Sequence, residues 1–142
     1  VIGRSMNFFS LNKKLESDTH YINDFLLCRL LLMNNKNYPW FILVPRRNNV
    51  TEIYQLSKKD RHQLDYEINE ISKKLSKYFN ADKMNIASLG NIVSQLHIHV
   101  IVRYKNDLSW PESVWGKFNS ETYSENKFLQ IKKDFKKMFA YL

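Results

Sequence analysis

The stretch QLHIHVIVR, residues 95–103, alternates polar and apolar side chains over its first half and decides the fold class. Successive side chains of a strand point to opposite faces, so the two sets would lie on opposite faces of one strand. The apolar set would face the core: Leu96, Ile98, Val100 and Val102. The polar set would share the other face: Gln95, His97, His99 and Arg103. Neighbours on one face lie roughly 7 Å apart, so the strand would present two imidazoles and an amide side by side.

The pair His97 and His99 suits phosphoryl chemistry. A neutral imidazole is a nucleophile near neutral pH, and a neighbouring imidazole or amide can donate hydrogen bonds to phosphate oxygens. Two histidines at this spacing can also be packing or surface residues. By itself, the pair therefore leaves both interpretations open.

Histidines two apart on a strand can also supply two ligands to zinc or another transition metal, which needs one or two more from elsewhere. The remaining candidates are poorly placed: His20 in a predicted loop, His62 on a predicted helix and Cys28 in an apolar run. We therefore predict no metal site, and a metal-dependent enzyme is the weaker alternative.

Short apolar runs elsewhere predict the other strands. Phe25 to Met33 and Trp40 to Val44 are joined by a polar, asparagine-rich turn and predict a β-hairpin. Met84 to Leu89 and Ile92 to Arg103 predict two more strands with a turn at Gly90–Asn91. Pairing between sequence neighbours favours an antiparallel sheet over a doubly wound parallel one.

Two further segments carry apolar residues at helical spacing. The first begins at Ser57, which has Asp60 three residues on as a start signal. Its apolar face is formed by Leu64, Ile68, Ile71, Leu75 and Phe79. The apolar face of the second is formed by Phe128, Ile131, Phe135, Met138 and Leu142. We expect an α+β fold in which one central amphipathic helix and a C-terminal helix pack on an antiparallel β-sheet.

Length and composition limit the class of protein. The 142 residues fit one domain, which we place at residues 6–142, because residues 1–5 are interpreted as a leader before Met6. A single cysteine, Cys28, forms no intramolecular disulfide, so we expect a packed thiol and a reducing, cytoplasmic compartment. No stretch reaches the roughly 20 apolar residues of a membrane span, so no membrane partner is expected.

Several function classes lack their motifs. The only glycines are Gly3, Gly90 and Gly116, which excludes a P-loop and a dinucleotide fingerprint. No GxSxG turn follows a predicted strand, so a serine hydrolase elbow is unsupported. The net charge of +8 favours phosphate-bearing partners of any kind. Nucleic-acid binding is therefore the non-enzymatic alternative, since tryptophans and tyrosines in a basic chain can stack on bases.

The motif in residues 95–103 resembles the motif of the histidine triad (HIT) family, in which three histidines alternate with apolar residues. Gln95 stands in the position of the first histidine, and His97 then falls on the middle one. The resemblance covers nearly all of residues 21–116. The segment WPESVWG, residues 110–116, is also similar to a bacterial HIT-like branch with a QLHxH form of the motif.

The resemblance implies a nucleotide hydrolase or nucleotidyl transferase. His97 would attack the α-phosphorus and form a covalent nucleotidyl-imidazole, while His99 would bond a non-bridging phosphate oxygen. Asn91 would match a polar residue before the triad, and Asn34 would match a residue that contacts the ribose. Gln95 completes the catalytic set but cannot carry a proton as histidine can, which leaves a weakened enzyme or a non-catalytic nucleotide-binding module as alternatives.

The resemblance also bears on the base, on cofactors and on assembly. Trp110 and Trp115 would line a base pocket or anchor their loop in the core. No cofactor is required, although a metal ion can arrive bound to the substrate phosphates. HIT-like domains commonly pair their sheets about a two-fold axis, so a homodimer is expected.

Overall fold

A computed structural model describes residues 8–140 and residue 142. The proposed leader, residues 1–5, lies outside the described residues. The helices and strands follow one another as α1 (Lys13–Asp18), β1 (Thr19–Asp24), β2 (Cys28–Met33), β3 (Trp40–Pro45), α2 (Lys58–Phe79), β4 (Lys83–Ala87), β5 (Ile98–Arg103) and α3 (Glu125–Met138). A single 3₁₀ turn, Ile53–Gln55, precedes α2.

The five strands form one sheet in the order β1-β2-β3-β5-β4, and every neighbouring pair is antiparallel. The predicted hairpin is β2 with β3, in which Leu30 lies opposite Leu43. The predicted central helix is α2, and the side chain of Ser57 caps it by accepting the N–H of Asp60. The α+β class is therefore confirmed.

The predictions around Gly90–Asn91 are wrong, and the strand predicted from Phe25 begins at Cys28. The strand expected from Ile92 begins only at Ile98, because Leu96 N–H bonds outside the sheet, to the Val50 carbonyl, and residues 92–97 form an irregular segment. The strand expected up to Leu89 ends at Ala87, so β4 and β5 pair across a ten-residue connection instead of a tight turn.

The first two elements, α1 and β1, are absent from the sequence predictions. His20 was expected in a loop but lies on β1, where its ring stacks on Phe128 of α3 with 4.1 Å between centroids. The sequence of β1, THYIND, is mostly polar because this is an edge strand, and α1 has only six residues. Neither element has an apolar periodicity strong enough to predict it from the sequence.

Both faces of the central strands are buried, and all six residues of β3 and of β5 are inaccessible. The side chains of Ile98, Val100 and Val102 pack on one face against α2 and α3, as predicted. On the opposite face, Ile42 and Ile101 belong to a second apolar cluster. The residues that cover this second face lie outside the sheet: Leu15, Val93 and Val114.

Glu67 of α2 ties the helix to the sheet. Its buried carboxylate accepts the backbone N–H of Leu27 at 3.0 Å and of Cys28 at 2.8 Å. Burial, reinforced by the Glu67 charge, raises the pKa of the Cys28 thiol. Cys28 is thus the packed, protonated thiol that its apolar surroundings predict.

Arg103 fixes the long connection that follows β5. Its guanidinium, in a side chain only 1% exposed, makes a bidentate pair with Asp107 at 2.7 and 3.0 Å. It also donates to Asn85 and to the Glu112 carbonyl, each at 2.8 Å. These bonds hold residues 104–112 against the end of the sheet. No helix in the described part of the chain is long and apolar enough to cross a membrane.

We predict that Arg103→Lys lowers the free energy of unfolding by on the order of 3 kcal/mol. Lysine keeps the positive charge but lacks the planar guanidinium with several N–H donors, so most of the buried hydrogen bonds of Arg103 would be lost. Urea unfolding measures the change. The matched control is Arg29→Lys, since Arg29 pairs with Asp24 at a half-exposed site and should cost less than about 1 kcal/mol. Equal costs for the two variants would contradict the assignment.

Candidate functional site

His97 and His99 line a cleft on the face of the sheet opposite α2 and α3. Their ring centroids are 4.8 Å apart, and their side chains are only 5% and 4% exposed. The cleft has a volume of about 380 Å³. Its walls come from α1, β3, the connection between β4 and β5, and the segment that follows Arg103.

The ring of His97 is oriented by the main chain. Its Nδ1 lies 2.6 Å from the carbonyl oxygen of Gln95. A carbonyl only accepts hydrogen bonds, so Nδ1 carries the proton and a neutral ring keeps its lone pair on Nε2. The nucleophilic nitrogen of a neutral His97 ring is therefore Nε2, in a residue that lines the cleft.

Gly90 lets the connection between β4 and β5 fold closely on itself beside His97. A Cβ atom at residue 90 would lie 2.8 Å from the Val93 carbonyl oxygen and 3.7 Å from Cε1 of His97. The first distance is shorter than any tolerated contact, so a side chain here would displace the connection between β4 and β5. The Gly90–Asn91 signal in the sequence thus marks a close approach between Gly90 and the Val93 backbone within this connection, with His97 in ordinary van der Waals contact.

The ring of His99 is enclosed on several sides. Its Nδ1 accepts the indole N–H of Trp40 at 3.0 Å, and its Nε2 lies 3.2 Å from the Leu89 carbonyl oxygen. The ring of Trp115 meets it edge to face at 5.0 Å. Burial, with a contribution from His97, lowers the pKa of His99 to about 4. His99 is therefore neutral at physiological pH.

The structure brings part of the predicted site together. Asn91 and Trp115 line the same cleft as the two histidines. Asn34 lines a second cavity of about 560 Å³, which shares Trp40 and Trp115 with the first. The side-chain oxygen of Asn34 accepts the N–H of Tyr123 at 3.0 Å. The two cavities therefore adjoin and share part of their walls.

Gln95 and Trp110 lie elsewhere. The amide of Gln95 accepts the N–H of Asn12 at 2.8 Å and donates to the Ser10 carbonyl at 2.9 Å, so it binds the segment before α1. Trp110 stacks on the guanidinium of Arg103, with 5.6 Å to its ring centroid. Neither lines the cleft that contains the histidines.

Three residues of the cleft wall are not predicted as site residues by the sequence. Lys14 and Asp18 of α1 line both cavities and form an ion pair of 2.7 Å at their edge. The sequence places Trp40 at the start of a strand and among the tryptophans of the nucleic-acid alternative, but does not connect it with the histidines. No pattern in the sequence joins these residues to the histidines, which lie at least 57 positions away from them. Among the described residues, no cluster of three or more His, Cys, Asp or Glu could hold a metal ion.

We predict that His99 makes stability fall as the pH drops from 6.5 to about 4. In this range the unfolded chain binds a proton at His99 that the folded chain does not, so acid favours unfolding by up to about 3 kcal/mol. Urea unfolding of the native protein and of His99→Gln at several pH values measures the difference, with exposed His62→Gln as the control. Parallel profiles for native protein and His99→Gln would refute the assignment.

Comparison with known proteins gives the family. The HIT domain model matches residues 14–106. Crystal structures of two bacterial histidine triad proteins superpose with TM-scores of 0.90. The one from Marinobacter aquaeolei is 41% identical and aligns over 92% of this chain and 96% of its own. The one from Bradyrhizobium japonicum is 37% identical and aligns over 92% of this chain and 98% of its own.

More distant proteins share the fold alone. Diadenosine triphosphate hydrolase from Plasmodium falciparum is 15% identical, with a TM-score of 0.61 over 97% of this chain and 86% of its own. A search of curated proteins gives no match. The domain match and the two similar bacterial structures identify the family: the chain belongs to the histidine triad family.

Proposed function

We propose that the protein is a nucleotide hydrolase or nucleotidyl transferase that acts at the α-phosphate of a nucleotide conjugate or dinucleoside polyphosphate. The observation that carries the proposal is the hydrogen bond from Nδ1 of His97 to the Gln95 carbonyl, which leaves the Nε2 lone pair in a cleft. That the family includes a diadenosine triphosphate hydrolase supports this substrate class.

The reaction has two steps. In the first, the lone pair of His97 Nε2 forms a bond to the α-phosphorus, and the bond to the leaving group breaks with its electron pair on that group. The ring, now substituted at Nε2 and protonated at Nδ1, is a cation, and the Gln95 carbonyl stabilises it through the existing hydrogen bond. In the second, water or another acceptor attacks phosphorus and loses its proton to solvent, while the bond between phosphorus and Nε2 breaks with its electron pair on Nε2, which restores the neutral imidazole.

The other walls of the cleft fit a nucleotide. Asn91 and His99 lie beside His97 and can donate hydrogen bonds to phosphate oxygens. Trp115 offers an aromatic face for the base, and Asn34 in the adjoining cavity offers an amide to the ribose. No cofactor is required in this scheme, and a metal ion takes part only if it arrives with the substrate.

We expect His97→Ala to lower nucleotide release by at least about 10³-fold, because it removes the nucleophile. Purified native protein and variant are incubated with nucleoside phosphoramidates, dinucleoside polyphosphates and nucleotide sugars, with and without a chelator, and nucleoside monophosphate is measured by chromatography. Native protein quenched in alkaline denaturant, which preserves a phosphorus–nitrogen bond, should also carry the mass of one nucleotidyl group.

His62→Ala is the matched control, because His62 is exposed on α2. It should release nucleotide at the native rate. Release that survives His97→Ala would refute the nucleophile. No release from any substrate, with nucleotide still bound, would leave a non-catalytic nucleotide-binding module. Salt-sensitive binding of single-stranded nucleic acid alone would instead favour the nucleic-acid alternative.

We further propose a cytoplasmic homodimer. The strand β4 forms one edge of the sheet, and apolar side chains are exposed on it and just after it, with Ile86 44% and Ile92 85% accessible. An unpaired strand edge beside exposed apolar side chains is a pairing surface for a second copy. The buried free thiol of Cys28 suits a reducing compartment.

Light scattering should give twice the chain mass of 17.1 kDa for the native protein. Ile86→Lys should give a monomer, because it places a charge on the pairing edge. The control is Leu26→Lys, since exposed Leu26 lies in the turn between β1 and β2, toward the other edge of the sheet. A native protein of single-chain mass would exclude the dimer.

A further inference from the structure

Trp40 and His99 are joined across two central strands. Trp40 begins β3 opposite Ile101 of β5, and Ile42 lies opposite His99. Trp40 is therefore the diagonal neighbour of His99 on the same face of the sheet, close enough for a long side chain to reach it. The indole N–H and His99 Nδ1 are 3.0 Å apart, and both side chains are buried.

The chemistry of these partners fixes where the His99 proton lies. An indole nitrogen only donates hydrogen bonds, so His99 Nδ1 must accept and carries no proton. The proton of the neutral ring then lies on Nε2. The Leu89 carbonyl, 3.2 Å from Nε2, can only accept and requires the same assignment. Two independent partners therefore select one tautomer.

The two neighbouring rings are thus held in opposite tautomers. His97 keeps its proton on Nδ1 for the Gln95 carbonyl and has a bare Nε2. His99 has a bare Nδ1, occupied by Trp40, and a proton on Nε2. One ring can attack phosphorus while the other can donate a hydrogen bond to a phosphate oxygen. Without a donor at Nδ1, only the longer bond to the Leu89 carbonyl would oppose the tautomer that has no such donor.

We propose that Trp40 is a positioning residue: by donating its indole N–H to Nδ1, it keeps His99 as the neutral Nε2–H tautomer that donates to a bound phosphoryl group. The use of this donor rests on the proposed function. The bond from His99 Nε2–H to the Leu89 carbonyl is longer than the usual 2.9–3.0 Å. When substrate binds, a phosphate oxygen replaces this carbonyl as the acceptor of the hydrogen bond.

The other charged and titratable groups around the cleft are few. His97 comes from the segment before β5, and Lys14 and Asp18 come from α1, where they pair with each other. Burial and His97 both oppose a charge on His99. The bond from Trp40 acts in the same direction, because it occupies the lone pair that a second proton would need.

The direct test compares Trp40→Phe with Trp115→Phe. Both replace one tryptophan of the same cleft, and both tryptophan rings touch His99, but only Trp40 bonds to a ring nitrogen. Long-range proton–nitrogen NMR spectra of uniformly labelled protein report which ring nitrogen of each histidine carries a proton. His99→Asn assigns the His99 signals by their loss.

We expect His99 to carry its proton on Nε2 alone in the native protein and in Trp115→Phe, the variant that keeps Trp40. In Trp40→Phe we expect a mixture of tautomers and a titration midpoint that rises from about 4 toward 6.5. His97 should keep its Nδ1 proton in all three proteins. An unchanged His99 spectrum in Trp40→Phe would overturn the proposal and leave Trp40 a packing residue.

A measurement on the native protein tests the same hydrogen bond even if a variant fails to fold. A coupling between the indole nitrogen and His99 Nδ1, transmitted through the hydrogen bond, should be detectable by NMR. Backbone spectra and thermal unfolding of each variant show whether the fold is kept. Absence of the coupling, together with a proton on Nδ1, would overturn the proposal without any variant.

Enzyme activity then tests whether the Nε2–H of His99 donates a hydrogen bond to the substrate phosphate. In Trp40→Phe we expect kcat to fall roughly 10- to 100-fold with a smaller change in KM, and the acid limb of the pH profile to move upward. Adenosine monophosphate should shift the His99 Nε2–H signal of the native protein. If the native protein is inactive, the proposed reaction fails while the tautomer result still stands. A fixed tautomer without any response to the nucleotide would refute the positioning role.

Discussion

The antiparallel pairing of β3 with β5 is the constraint on which the rest of the structure depends. It buries every residue of both strands and sets Ile42 opposite His99, so that Trp40 becomes a neighbour of the same imidazole. A shift of one residue in this register would turn the histidine face toward α2 and α3. The apolar residues on the helix side prevent such a shift, because their burial would be lost.

The second face of the sheet becomes a cleft only because the chain before β1 covers it. Asn12 caps α1 with its side chain and binds Gln95 with its backbone, while Leu15 packs into the apolar cluster on that face. This cover removes water from the two imidazoles and keeps His99 uncharged. Gln95 contributes to the cover by holding the segment before α1, a task that needs an amide's donor and acceptor.

The cleft combines low charge with defined hydrogen-bond polarity. His97 and His99 are each bound by a group with only one possible role, a carbonyl for His97 and an indole for His99. Lys14, the cationic side chain among the described residues that line the cleft, is paired with Asp18. Recognition of a phosphoryl group there would depend on oriented N–H groups more than on net charge, which makes ring orientation a central property of this site.

The sequence by itself determined the strand that contains His99 and follows directly after His97, the hairpin, the central helix and the α+β class, because each carries a local apolar period or a capping signal that burial enforces. It also placed His97 and His99 side by side, since alternation along a strand is a local property. Only the tertiary structure decided what surrounds them. Trp40 and α1 approach the imidazoles from positions distant along the chain, and Gln95 binds the equally distant segment before α1. Side-chain contacts of that kind follow from sheet register and packing, which no local pattern encodes.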